Sequence, residues 1–95
     1  MVRNIVVGRL KDGVPPDAVQ PGLDAILALD PPGRLACAVG VDLRLREQSW
    51  DFAITADFTD EASYREYDAE AEHNRIRREL FDPFCEQIAR VQFRV

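Results

Sequence analysis

His73 is the only histidine in the chain. An imidazole titrates near pH 6.5 when unperturbed, which suits it to move a proton at neutral pH. Tyr67 lies six residues earlier and offers a phenolic O–H. A base that removes an acidic proton next to a carbonyl, beside a donor that steadies the resulting enolate, is the chemistry such a pair can do. Each residue also has an ordinary role. The imidazole can pack beside Ile76 and Leu80 and bond a backbone carbonyl, and the tyrosine ring can pack with its hydroxyl wet. Near the start of the chain, Asn4, Val6 and Gly8 alternate along one face of an extended run. They offer an amide for a ligand carbonyl, an apolar wall, and a position that leaves room for a ligand or marks a bulge.

Other chemistries find no residues. One histidine among scattered acids has no metal-ligand spacing, so no metal is expected. No glycine-rich phosphate loop occurs and no cofactor is expected. Cys37 and Cys85 are far apart and lack a signal for thiolate activation, so both read as reduced core thiols of a cytoplasmic protein. With 17 acidic and 12 basic residues the net charge is −5. Such a surface repels phosphate backbones, which argues against nucleic-acid partners. Arg75, Arg77 and Arg78 are interspersed with Glu70, Glu72 and Glu79, the pattern of a solvated helix face. No apolar run approaches spanning length, so no membrane partner is expected.

Elements of one small domain, residues 1–95, must position these groups. Val2 to Leu10 reads as a strand with apolar residues on both faces, Ile5 and Val7 opposite Val2, Val6 and Leu10. A turn at Lys11-Asp12-Gly13 leads to a helix ending near Leu29; Pro21 fits the first helical turn and is costly in the interior, so either the helix starts near Gln20 or its first turn is separate. Leu35 to Leu45 alternates as a strand, and Trp50 to Phe58 as its hairpin partner. Thr59 or Asp60 caps the next helix. That helix breaks near Ala69 to Glu72 and resumes with His73, Ile76, Leu80, Phe81, Phe84 and Ile88 along one side, with Pro83 as a kink and Cys85 on the helix. Val91 to Val95 is the last strand.

The order is the split βαβ arrangement of ferredoxin-like α+β domains, a four-stranded antiparallel sheet with its helices on one face. Such a sheet leaves its second face bare. The apolar residues on both sides of the first strand, and the long apolar row of the second, predict a cover for that face. The simplest cover is a second copy of the chain.

The opening RNIVVGRLKDGV, the middle VGVDL followed by WDFAITADFTDEAS, and the segment YREYDAEAEHNRI resemble the stress-responsive A/B-barrel (Dabb) family in order and spacing, over essentially the whole chain. The resemblance implies a dimeric α+β barrel formed through the open sheet face. Some members close poly-β-keto chains into aromatic rings without a cofactor, with a tyrosine and a histidine at positions matching Tyr67 and His73. The chain departs from that pattern at Asn4, where a member with that cyclase activity carries a histidine. It departs again at Glu70-Ala71-Glu72-His73, which lacks the first histidine and the proline of the common motif. Three functions follow as expectations: a homodimer that binds a small hydrophobic or aromatic molecule in a helix–sheet cleft, a cofactor-independent cyclase using His73 and Tyr67, or a structural stress-responsive protein without a ligand. The heme-degrading and antibiotic-oxidising monooxygenases share the barrel, but no motif here points to their chemistry.

Overall fold

The computed structural model describes residues 1–95. Strand β1 (Val2–Leu10) is followed by a 3-10 turn (Pro16–Val19) and helix α1 (Gln20–Ala28). Strands β2 (Arg34–Val41) and β3 (Phe52–Phe58) come next, then helices α2 (Glu61–Ala69) and α3 (Ala71–Ile76), a π turn (Arg77–Phe81) and strand β4 (Cys85–Arg94). The four strands are antiparallel in the order β2-β3-β1-β4. This is the ferredoxin-like topology expected from the sequence.

The helix boundaries follow local chemistry. Pro21 sits in the first turn of α1, where its missing N–H costs nothing. At the other end the Arg34 guanidinium donates to the carbonyls of Ile26 and Leu27, at 3.0 and 3.2 Å, and to that of Leu29. It satisfies the last turn of α1 and places a cation where the helix dipole is negative. Asp60 caps α2 by accepting from the Ser63 N–H at 2.8 Å.

The core lies between the sheet and the helices. Phe52, Ile54, Ala56 and Phe58 of β3 alternate toward Leu23 and Ile26 of α1, Tyr67 of α2, Ile76 of α3 and Phe81. Gly8 belongs to this face of β1. A Cβ there would come within 2.0 Å of the Phe52 ring, so the glycine makes room for that ring.

Three sequence expectations need correction. β2 ends at Val41, and Leu43 and Leu45 lie in the long connection to β3, 77% and 82% exposed. Alternation alone could not reveal where pairing stops. Trp50 also lies before β3, with the Arg9 guanidinium 4.6 Å from its ring centroid. Second, the apolar row of β2 points toward the helices: Cys37 and Val39 pack against the core and pair with Ala56 and Ile54. The open face carries Ala36, Ala38 and Gly40 instead, in register with Asp57, Thr55 and Ala53.

Third, the helical segment stops at Phe81, and β4 begins at Cys85, not at Val91. Asp82 is still helical in its backbone angles, and Pro83 ends the helical hydrogen bonding because it has no N–H to donate and its ring clashes with the preceding turn. Cys85 and Ile88 are therefore strand residues, and β4 pairs with β1 along its whole length, with a register shift at Arg9/Leu10.

Candidate functional site

A continuous helix would place residues six apart about 240° around the axis, on different sides. Tyr67 and His73 are six apart, and the break between α2 and α3 brings them together. Glu70 is extended there, and its carboxylate accepts from the N–H groups of Glu72 at 2.9 Å and His73 at 2.7 Å. These bonds start α3 and hold the Glu70 carboxyl below its ordinary range. The Asn74 amide donates to the Asp68 and Glu70 carbonyls, at 3.0 and 2.9 Å, and stitches the break closed. The outcome is a ring-on-ring contact between Tyr67 and His73, with centroids 4.2 Å apart and planes inclined by 41°.

Both rings are removed from water. Tyr67 is buried against Phe58, and burial pushes its phenol up to about 12. His73 is half-buried. Burial lowers its pKa below the usual imidazole value, and the cations Arg77 and Arg90 push the same way, while the charge and backbone of Asp68 pull it back. Its Nδ1 is buried and has no hydrogen-bond partner. An unsatisfied buried nitrogen is costly, and native structures keep few of them.

These rings border a cavity between the helices and the sheet. Its volume is about 40 Å³, and its unfilled space reaches about 500 Å³ when the open mouth is counted. The smaller volume has room for a few waters. Val6, Ile26, Phe52, Ile54, Phe81 and Ile88 form the apolar walls, and Asn4, Tyr64, Tyr67, Asp68, His73, Arg77 and Arg90 form a polar end.

Four of the five residues singled out in the sequence meet here. His73 and Tyr67 come from the helices, and Asn4 and Val6 from β1. Asn4 is buried, and its Oδ1 accepts from the Gln92 amide at 2.9 Å. Gly8 does not line the cavity, since the Phe52 ring occupies the space it leaves.

Tyr64, Asp68, Arg77 and Arg90 line the cavity without having been expected to. Tyr64 stands three residues before Tyr67, on the same helix face, so its position was available from helical spacing. Arg77 was hidden in a run that looked like a solvated face. Arg90 was hidden by the misplaced start of β4, because only the strand periodicity turns it toward the helices. Neither cysteine belongs to the site. Both are free and half-buried, and burial pushes the Cys37 thiol up and the Cys85 thiol up to about 11.

The sequence profile of the stress responsive A/B barrel domain matches residues 2–95. No curated protein sequence matches the chain. Among solved structures, a dimeric ferredoxin-like protein of unknown function from Thermobifida fusca is 30% identical with a TM-score of 0.86, over 99% of this chain and 90% of that one. Hydroxynitrile lyase from Passiflora edulis is 21% identical with a TM-score of 0.81, over 99% of this chain and 92% of the lyase. An antibiotic biosynthesis monooxygenase is 19% identical with a TM-score of 0.78, over 100% of this chain and 98% of the enzyme. At that identity the two enzymes share the fold with this chain, and the fold alone does not carry their chemistry across.

Proposed function

This chain belongs to the stress responsive A/B barrel family, and from that premise we propose that it is a homodimer, joined through the open sheet face, whose helix–sheet cavity binds a small, largely apolar molecule. The observation that carries the binding role is the orphaned Nδ1 of His73 beside Tyr67 at the polar end of an otherwise apolar cavity. Ligand sites have this make-up, apolar walls with a few converging polar groups. Asn4 and Val6 are the sheet-side contacts. At about 40 Å³ the cavity is smaller than a typical ligand pocket, so binding requires half-buried side chains that line it to move aside.

The distribution of side chains on β4 supports the dimer. This edge strand aims Arg90, Gln92 and Arg94 to the helix side and Ala89, Val91 and Phe93 to the open side, in register with Val7, Ile5 and Arg3. Val91 and Phe93 are 53% and 44% exposed in the single chain. An edge strand whose apolar row faces water fits a sheet that meets a second sheet. The dimeric relative at 30% identity agrees with this arrangement. The free, half-buried thiols fit a reducing compartment, and we place the protein in the cytoplasm. No helix is long and apolar enough to cross a membrane.

A second reading rests on the same pair. A neutral imidazole held below its usual pKa is a ready proton acceptor, and the Tyr67 phenol stays protonated and able to donate. That is the equipment of a cofactor-independent cyclase or a related lyase.

The test is a titration of small aromatic and aliphatic compounds, acids and neutral molecules together, followed by NMR of the tyrosine and histidine rings. Binding in this cavity shifts the Tyr67 and His73 signals, and His73→Ala weakens it. If no compound moves those signals while the protein stays folded, the role is structural. Turnover of a poly-β-keto substrate that disappears in His73→Ala would favour the enzyme.

A further inference from the structure

We propose that the polar end of the cavity is a carboxylate site, with Arg77 and Arg90 as a clamp, and that the ligand is a small monocarboxylate with an apolar body. This rests on the cavity being a ligand site at all.

The two arginines reach the cavity from opposite layers. Arg77 leaves the π turn after α3, in the helix layer, while Arg90 stands on β4 in the row that faces the helices. Both line the same cavity. Some guanidinium groups of the chain are tightly paired. Arg3 binds Asp57 through two bonds of 2.8 and 3.1 Å, and Arg75 bridges Glu72 and Glu79 at 2.6 Å each. The two that line the cavity are not held in this way. Arg77 has only marginal contacts, 3.4 Å to Asp82 and 3.5 Å to Asn74, and Arg90 enters no ion pair.

Scarcity of acids cannot explain this in a chain of net charge −5. Asp68 is on the same rim, yet it pairs with neither arginine. Two cations that face one cavity repel each other, and an anion placed between them relieves the repulsion. Both also depress the imidazole pKa of His73, so the anion would land beside that ring.

The shape of the site narrows the anion. A guanidinium presents a planar fork that matches the two oxygens of a carboxylate. Beyond the arginines the walls are Val6, Ile26, Ile54 and Ile88, which require an apolar continuation. A ligand so held keeps its carboxylate at the mouth and sends its apolar end inward, past Tyr67 and His73.

The experiment is calorimetric titration of the full-length protein with hexanoate, benzoate and 3-phenylpropanoate, each against its amide, and with inorganic phosphate alone. At least one acid is expected to bind tenfold or more tightly than its amide. Arg90→Gln is expected to erase that preference, with acid affinity falling to the level of the amide, and Arg77→Gln to do so in part. Arg90 is exposed, so its variant keeps the fold. Amides that bind as well as acids would overturn the clamp and leave the binding role standing. Phosphate that binds as tightly as the acids would overturn the assignment to a carboxylate with an apolar body. If neither acid nor amide binds, both the clamp and the cavity's binding role fall.

Discussion

The two faces of the sheet are built by different rules. On the helix side, β3 contributes Phe52, Ile54, Ala56 and Phe58, all buried. On the open side the same strand contributes Ala53, Thr55 and Asp57, and β2 adds Ala36, Ala38 and Gly40. On the edge strand β4 the order reverses, with Arg90 and Gln92 on the helix side and Val91 and Phe93 outside. The helix side therefore folds the single chain, around bulky interlocking side chains. The open side is low along the β2–β3 half and apolar along the β1–β4 half, a relief suited to a second sheet. The cavity lies where the helix-side rule weakens, at the edge where polar residues replace the apolar row.

The sharpest way to break this comparison is to cut equal amounts from each face. Phe58 is fully buried. Phe58→Ala is expected to cost about 3–5 kcal/mol in chemical denaturation, the usual range for emptying a core aromatic site. That loss should not depend on protein concentration, because the contact is within one chain. Phe93→Ala is expected to act through the dimer, with a loss that grows on dilution. Equal, concentration-independent losses would mean that the open face is not an interface.

Next in size is a charge on the open face. Val91→Asp places a carboxylate on each copy of a two-fold interface, where burying an unpaired charge costs several kcal/mol. Dimer affinity is expected to fall by roughly 100-fold or more, while the separated chain keeps its helical circular dichroism. Sedimentation at micromolar concentration reads the result. A dimer of unchanged affinity would rule out sheet-to-sheet association.

Each face also has a strand glycine. Alanine at Gly8 would place its Cβ 2.0 Å from the Phe52 ring, so Gly8→Ala is expected to destabilise by about 1–3 kcal/mol through overpacking. A Cβ at Gly40 would meet nothing within 4 Å in the single chain, so Gly40→Ala is expected to shift stability by less than about 1 kcal/mol. Thermal melts at equal concentration compare the two. A large loss at Gly40 would show that the partner sheet approaches closely there.

The sequence disclosed the helix side more fully than the edge. The ferredoxin-like order, the start of α1 at Gln20 set by Pro21, the Asp60 cap and the break near Glu70 were all legible, because each depends on local rules about proline, capping and alternation. Ile5 and Val7 also pointed to the open face correctly. What failed depended on tertiary pairing. β2 looked longer than it is because Leu43 and Leu45 continue an alternation that no neighbour completes. β4 was shortened because Leu80, Phe81, Phe84 and Ile88 fit a helical spacing that Asp82-Pro83 interrupts. That error hid Arg90, one of the residues at the polar end of the cavity. His73 and Tyr67 were found by residue type, but their stacking follows from the bend at Glu70, which fixes the direction of α3.

The smallest expected effect concerns that pair and the contrast between a dry helix side and a wet rim. The imidazole of His73 is held below its ordinary pKa by burial, with Arg77 and Arg90 adding to the fall. The unfolded chain, with an imidazole near 6.5, therefore binds more protons than the folded one in the interval between the two values. Stability must decline as pH falls below about 6.5, and the decline must end once the folded imidazole also protonates. The carboxylates held low by their partners, Asp57 and Glu70 among them, lose their contribution only at more acidic pH. Melting temperature is thus expected to drop between pH 7.5 and about 5.5, and His73→Gln is expected to flatten that part of the curve while leaving the acid limb in place. An unchanged slope in the variant would mean that the imidazole is solvated and readily protonated in the folded protein, and the dry contact with Tyr67 would have to be abandoned.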